Sequence, residues 1–340
     1  MRALYITRHG GPQVLEVRDA ADPEPRPGEV RVRVRAAGLN FAEISARQGL
    51  YPDAPKPPCV VGFEGAGEVD AVGPGVAIPV VGTRVLFLSR FGAHASAVCV
   101  PANQALPMPE SMSFEHGAAL PVVYLTAYHM LFVIARLREG EHVVVHMAAG
   151  GVGTAVLQLC RTVAGVVTYG TASASKHDYV RRHGCDHAID YHKSDYAAEV
   201  KRLTDGRGVD LVLDPLGGRD WRKGYALLKP CGMLIAYGFA NMNTGGRRRP
   251  LHVLSQAARM PWFNPLKLMN DNRAVAGVNM GHLFDQEAMI SAELQAIVEL
   301  YRAQKIEPHV HASFPFSRAA DAHGELEYGR NVGKVLLTPD

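Results

Sequence analysis

Residues Val143–Arg161 read VVVHMAAGGVGTAVLQLCR. An apolar, β-branched run passes into a glycine-rich turn. The turn then passes into a helical pattern with apolar positions at Val152, Ala155, Val156 and Leu159. A dinucleotide pyrophosphate needs close backbone approach and free N–H groups at a helix N-terminus. Gly150 and Gly151 remove side chains that would block that approach, and Gly153 lets helix and strand pack closely. Ala148 replaces the first glycine of the G-x-G-x-x-G pattern. Ala149, Gly150, Gly151, Val152 and Gly153 are therefore candidate phosphate-cradling residues, provided strand–helix units follow.

They do follow. Val166–Gly170 reads as a strand, Ser175–His183 as a helix, Ala188–Asp190 as a short strand and Asp195–Thr204 as a helix. Val209–Asp214, Gly232–Gly238 and Arg273–Met280 read as further strands. This alternation predicts an α/β fold with a doubly wound parallel sheet of Rossmann type. An NAD site places an acidic side chain after the second strand, where it holds the ribose 2′-hydroxyl. Here that strand is followed by Thr171, Ala172, Ser173, Ala174, Ser175 and Lys176, with no carboxylate. Hydroxyls and an ammonium suit a 2′-phosphate, so NADPH is the expected cofactor rather than NADH. Capping of the next helix by Ser173 or Ser175 is the alternative, and compatible, role.

Upstream, the first hundred residues read as strands and turns. Arg31–Arg35 alternates Arg and Val, Gly65–Val72 and Val80–Leu88 are apolar runs, and Pro52–Pro58 holds four prolines in a stiff loop. Asp285–Gln304 reads as a helix, and Val332–Leu337 as a last strand returning to this β-rich module. Across all 340 residues, 36 Lys and Arg stand against 33 Asp and Glu, a balance that gives no support to a nucleic-acid partner. The five cysteines form no C-x-x-C pair, and Met1–Gly10 has no signal-peptide pattern, so a reducing cytoplasm is expected. Ala118–Ala135 lacks Asp, Glu, Lys and Arg but contains Pro121, Tyr124, Thr126, Tyr128 and His129. It reads as a buried helix at a domain junction rather than a membrane span.

Gly140-Glu141, Ala148–Gly153, Gln158 and Arg161 together resemble the signature of the zinc-independent quinone oxidoreductase branch of the medium-chain dehydrogenase/reductase superfamily. The likeness continues in NFAEISARQGLY (Asn40–Tyr51), GFEGAGEVDAVG (Gly62–Gly73), YLTAYHML (Tyr124–Leu131) and NVGKVLL (Asn331–Leu337). GTASASKH (Gly170–His177), AIDYH (Ala188–His192) and DPLGG (Asp214–Gly218) are particularly similar to the vesicle amine transport protein subgroup. The resemblance implies a discontinuous GroES-like β-rich catalytic domain over residues 1–123 and 282–340, and a Rossmann NADPH-binding domain over 124–281. It also implies cofactor contacts from Thr126, Lys176, Tyr191, Gly238, Phe239 and Asn331, beside those expected of Thr171 and Ser173 after the second strand. The superfamily's zinc-dependent members use Cys and a Gly-His-Glu motif. This chain has Asn40 and Gly62-Phe63-Glu64 there, and Cys99 stands alone where a structural zinc lobe needs four cysteines. No metal is expected.

Hydride transfer without a metal suits acceptors that delocalise the product charge, such as quinones and α,β-unsaturated carbonyls. The protein then supplies orientation and one or two hydrogen bonds to the carbonyl. Tyr51 and Asn40 are the candidate catalytic donors, on a loop expected to face the nicotinamide across a cleft. The resemblance extends to enoyl-thioester reductases, whose proton-donating Tyr matches Tyr51. A packing role for Tyr51 and a turn role for Asn40 are the plainer alternatives. The expected function is NADPH-dependent reduction of a quinone or activated enone. Enoyl-thioester reduction in a biosynthetic pathway and a non-enzymatic membrane-trafficking or lipid-binding role are the alternatives. Residues 241–272 combine Arg247-Arg248-Arg249 with Met260, Trp262, Phe263, Leu266 and Leu268. This segment suits a substrate pocket or a subunit contact; a solvated basic loop is the simpler account of the arginines, and contact with anionic lipid or an acyl-carrier thioester is the alternative. A homodimer is expected if Arg273–Met280 lies at a sheet edge.

Overall fold

A computed structural model describes residues 1–242 and 250–340. Arg247, Arg248 and Arg249 lie outside the described residues. The chain opens with β1 (Arg2–Ile6), β2 (Leu15–Asp19), β3 (Glu29–Leu39) and helix α1 (Phe41–Gln48). Next come β4 (Cys59–Val60), β5 (Glu64–Val72), β6 (Arg84–Leu88), β7 (Ala97–Pro101), β8 (Ala105–Pro107), α2 (Phe114–Ala119) and α3 (Pro121–Tyr128). Strands and helices then alternate: β9 (His142–Val145), α4 (Gly151–Cys160), β10 (Val167–Thr171), α5 (His177–Arg182), β11 (His187–Ile189), α6 (Tyr196–Leu203), β12 (Val209–Asp214), α7 (Arg219–Leu227) and β13 (Leu228–Ala236). The last elements are α8 (Pro250–Ala258), α9 (Pro265–Asp271), β14 (Ala274–Gly277), α10 (Glu287–Arg302), β15 (Val310–Pro315), α11 (Ala319–Glu327) and β16 (Lys334–Thr338).

The described residues form two units. One comprises Met1–Leu125 with Gly281–Asp340, and the other comprises residues 126–242 with 250–280. In the first, the main sheet has the order β15-β16-β3-β5-β6-β8, with β7 also pairing β3. The Arg-Val alternation of β3 works as the sequence predicts. Val30, Val32 and Val34 are buried in a core with Val69, Val85, Phe87, Val98 and Val100. On the other face, Arg31 and Arg33 both donate to Asp70. The C-terminal strand does return: β16 runs antiparallel to β3, with Val335 opposite Leu39 and Leu336 opposite Gly38.

The second unit holds an all-parallel sheet of order β11-β10-β9-β12-β13-β14. Its central strands carry apolar runs, with Val143–Val145 and Leu211–Leu213 buried, as strands covered on both faces require. Strand order reverses beside β9, which makes the carboxyl end of β9 the switch point of the sheet, the usual place for a ligand.

Some boundaries differ from the sequence expectation. The strand expected over Val80–Leu88 begins only at Arg84, because Gly82 turns the chain at φ 88°. The helix expected over Ser175–His183 is a 3-10 turn, Ala174–Lys176, followed by α5. The apolar run Ala118–Ala135 is not one helix. Pro121 starts α3 afresh, and His129–Ile134 winds as a π-helix. Among the described residues, no helix is long and apolar enough to cross a membrane.

Candidate active site

In the second unit, β9 ends at Val145 and the chain turns through Met147, whose φ is 52°. Gly150 N–H donates to Met147 O at 2.9 Å, which closes the turn. Helix α4 then starts at Gly151, and no side chain caps it. Its first N–H groups have no helical acceptor, and the helix dipole adds partial positive charge there. At Gly153 an added Cβ would lie 2.4 Å from Met147 O and 2.6 Å from Ala148 Cα, both backbone atoms. Only glycine lets α4 meet the strand end this closely. Bare glycines, uncapped N–H groups and a position at the switch point together form a cradle whose open N–H groups suit an anionic group.

The side chains around the cradle fall into two kinds. Thr171 is buried and internally engaged: its Oγ1 contacts His146 Nδ1 at 3.2 Å and accepts from Met147 N at 3.3 Å. It braces the turn from beneath. Burial pushes His146 down to about 3, so it is a neutral part of this support. Ser173 and Ser175 are exposed or half-buried with their hydroxyls 3.3 Å apart, and Lys176 follows directly. This stretch places two hydroxyls and a lysine side chain within four residues of one another. Tyr191 is about half exposed just beyond β11, and packs against His192. Gly238 lies tight against the Pro215 backbone, and the neighbouring Phe239 is half exposed against Trp221. Thr126 is buried in α3. Asp214, at the end of β12, was not among the residues picked out from the sequence. Its Oδ1 accepts from Leu216 and Gly217 N–H and shapes the Pro215–Gly218 turn. Burial raises its pKa to about 7.

In the first unit, three adjacent strands deliver polar side chains to one end of the sheet. Asn40 follows β3, Glu64 opens β5 and Lys334 opens β16. The registers put Gly65 opposite Ala37 and Val335 opposite Leu39, so the three side chains meet. Gly38 makes room for them, since a Cβ there would fall 2.3 Å from Glu64 Oε1. Lys334 Nζ donates to Asn40 Oδ1 and to Glu64 Oε1. Asn40 Nδ2 donates to Glu64 Oε1 at 2.9 Å. Glu64 Oε2 accepts from Val122 N, in the first turn of α3, at 2.6 Å. Glu43, fully buried in α1, completes the group. Its Oε2 accepts from Asn40 N at 2.8 Å, and its Oε1 lies 3.4 Å from Asn40 Nδ2. Burial drives the Glu43 carboxyl up to about 7 against the opposing pull of Lys334.

Tyr51 lies just past α1, and its hydroxyl has no hydrogen-bond partner among the described residues. Its ring meets Phe63 edge-on at 6.1 Å, and Phe63 packs on Phe91 at 5.1 Å. Burial first, then the charges of Asp53 and Glu43, raise the Tyr51 pKa, so the phenol keeps its proton. Asn331 donates from Nδ2 to Gly333 O at 2.8 Å at the approach to β16. The sequence reading missed Glu43, Glu64 and Lys334 as site residues. The available signal was a lone Lys beginning an otherwise apolar strand, KVLL, and two acids inside segments already marked by the family likeness.

The far end of α1 is also held by charge. Arg47 Nη2 donates to Glu327 Oε2 at 2.8 Å and Gln48 Nε2 to Glu327 Oε1 at 2.5 Å, with the Arg47 and Glu327 side chains fully buried. His323, on the same face of α11, is fully buried, and its pKa lies well below the ordinary range, first through desolvation and then through Arg47.

The sequence pattern of the alcohol dehydrogenase GroES-like domain matches residues 26–110, and that of the zinc-binding dehydrogenase family matches residues 183–337. The human synaptic vesicle membrane protein VAT-1 homolog is 46% identical, over 100% of this chain and 86% of its own. The quinone oxidoreductase of Pseudomonas aeruginosa is 34% identical over 99% of both chains. The crystal structure of Escherichia coli quinone oxidoreductase complexed with NADPH superposes with a TM-score of 0.88 at 28% identity, covering 100% of each chain. The chain belongs to the medium-chain dehydrogenase/reductase superfamily, in the branch that holds the VAT-1 homologues and the quinone oxidoreductases.

The family's name implies zinc, and the residues present do not fit one. Phe63 stands in the Gly-x-Glu motif and contributes a ring to an aromatic cluster. Cys99 Sγ donates to Pro23 O at 3.6 Å, and burial pushes its thiol up to about 11. Among the described residues, no three His, Cys, Asp or Glu side chains converge as a metal site would need.

Proposed function

We propose that this protein is an NADPH-dependent reductase of quinones or other activated α,β-unsaturated carbonyls, working without a metal. The observation that carries the reading is the cradle after β9, an uncapped helix start over bare glycines, followed along the sheet edge by Ser173, Ser175 and Lys176 with no carboxylate. NADPH, when bound, supplies a hydride. Gly150, Gly151, Val152 and Gly153 present backbone N–H groups to its pyrophosphate, and Ser173 and Lys176 meet its 2′-phosphate. The Tyr51 hydroxyl is the free donor for the acceptor's carbonyl or for the carbon left anionic. One well-placed donor of this kind is worth about 3–4 kcal/mol. Asn40 is the second donor, held by Lys334 and Glu64.

The test is nicotinamide fluorescence quenching with both cofactors, followed by a panel of acceptors. Tighter binding of NADPH than of NADH, with turnover on quinones or enones, is expected. Equal affinities would remove the role given to Ser173 and Lys176. Tyr51→Phe separates the substrate classes. A large loss on enoyl thioesters, with little change on quinones, would favour the enoyl reductase alternative, because reduction of a carbon–carbon double bond ends with a proton on the α-carbon, whereas a reduced quinone takes its protons on oxygen.

One observation favours a further, non-enzymatic reading. Leu251, Leu254, Trp262, Leu266 and Met269 are strongly exposed on α8, α9 and the loop between them. Relatives carry a vesicle-membrane name. Negligible turnover on every acceptor, together with binding to anionic vesicles, would favour that reading. The open edge of β14 is where we place a two-fold contact between copies of the chain.

A further inference from the structure

The polar cluster around Asn40 contains two carboxylates and one ammonium, all buried. Lys334 bonds Glu64 and makes no bond to Glu43, so Glu43 is the unmatched acid. The Asn40 amide cannot flip to suit it. Lys334 can only donate, so the atom it contacts is fixed as Oδ1, and both amide protons lie on the other side. One of those protons goes to Glu64 at 2.9 Å. The other has only the long 3.4 Å contact with Glu43 Oε1.

We propose that Glu43 is a positioning residue that gates Asn40. As a neutral acid it leaves the second Asn40 N–H available to the substrate carbonyl; as a carboxylate it takes that N–H for itself. The gate rests on the reading above, in which Asn40 is a donor in the reductase site. An ionised acceptor forms a shorter and roughly twofold stronger hydrogen bond than a neutral one, so a 3.4 Å contact marks the relaxed state of the pair. Burial holds the Glu43 proton to about pH 7, where the gate would matter. The groups around it are Lys334 from β16, Glu64 from β5, Tyr51 from the chain beyond α1, and Arg47 on α1 itself. α11 packs on α1 and brings His323 and Glu327, and His94 lies nearby with Nε2 on Gly38 O at 3.1 Å. His94 and His323 are both neutral near pH 7, with His94 held down to about 4, so neither supplies a titration there.

Two measurements test the gate, one with turnover and one without. In the first, kcat/KM for a quinone or enone with saturating NADPH is followed from pH 5.5 to 9. The native protein is expected to lose about tenfold per pH unit above neutrality, the slope of a single essential proton. Glu43→Gln, which cannot ionise, should lose that alkaline limb, and Glu43→Asp should keep one. A Glu43→Gln profile identical to the native one would overturn the gate. The second measurement is Tm from pH 4 to 8. The folded-state pKa of Glu43 is raised, so its protonated form stabilises the fold, and that contribution is lost as pH rises from about 4.5 through about 7. The Tm of the native protein should therefore fall relative to that of Glu43→Gln as pH rises. A constant Tm difference would overturn the proton on Glu43. Absence of turnover at every pH would overturn the reductase reading and the gate with it. The Tm comparison would still report separately whether Glu43 holds a proton.

Discussion

Helices α1 and α4 each follow a central strand of their sheet, and they are built on opposite plans. Helix α4 buries a mainly apolar, uncharged set, Ala155, Val156, Leu157, Leu159 and Cys160 with Thr154 and Gln158, and places its candidate function in backbone N–H groups at its start. Helix α1 buries Glu43, Arg47 and Gln48 beside Ile44 and Ala46. Its candidate function lies in side chains, Asn40 at one end and Tyr51 beyond the other. A backbone site needs side chains kept away, which glycine does locally. A side-chain site needs partners held at fixed points, and here each partner comes from a different strand or helix. Buried ionic contacts add little net stability but penalise misplacement heavily, so charge at both ends of α1 fixes its register, while α4 is held by apolar packing and two neutral hydrogen bonds, Thr154 to Tyr179 and Gln158 to His183.

The sharpest way to break this contrast is to remove one charge from α1. Arg47→Met leaves Glu327 buried without its guanidinium partner and bonded only by Gln48, and the expected cost is about 3–5 kcal/mol in urea unfolding. Arg47→Met combined with Glu327→Leu should recover most of that loss, because no unpaired charge remains. If the single variant costs less than about 1 kcal/mol, the pair is solvated in practice and the contrast fails.

Glycine 153 tests the other plan. Gly153→Ala puts a methyl group 2.4 Å from Met147 O, and neither that carbonyl nor the Ala148 backbone can rotate away. The expected loss is about 1–3 kcal/mol of stability from overpacking, with NADPH quenching abolished because the helix start moves off the strand end. Full stability with full quenching would show that the close approach is not what the cradle requires.

How far each plan could be read in the sequence follows from the same difference. The cradle was legible because Val143–Gly153 carries its strand, turn and helix start in eleven consecutive residues. Tyr51 and Asn40 were legible as residue types in a family-like segment, but their surroundings were not. Lys334 is nearly 300 positions from Asn40, and only the pairing of β16 on β3 brings them together. Glu43 and Arg47 look in sequence like an ordinary exposed i, i+4 ion pair on a helix. The structure turns both inward to separate partners, Asn40 and Glu327. The break at Pro121 was missed for a physical reason too. Composition alone cannot separate a continuous apolar helix from a short one restarted on a Glu64 carboxylate that caps its first turn.

The smallest effect concerns the edge of the cradle, where side chains supplement the backbone. Lys176 follows Ser173 and Ser175 at the point where the second strand gives way to helix, and its ammonium is the only full positive charge in that stretch. Lys176→Ala should weaken NADPH binding about tenfold, or about 1.4 kcal/mol, and leave NADH nearly unchanged. The difference between the two cofactors should also shrink with added salt in the native protein, because an exposed ammonium–phosphate contact is screened over about 8–10 Å at physiological ionic strength. Equal losses for both cofactors would mean that Lys176 supports the turn rather than reading the 2′-phosphate. The α4 site would then select its ligand by backbone alone, which would sharpen its difference from α1.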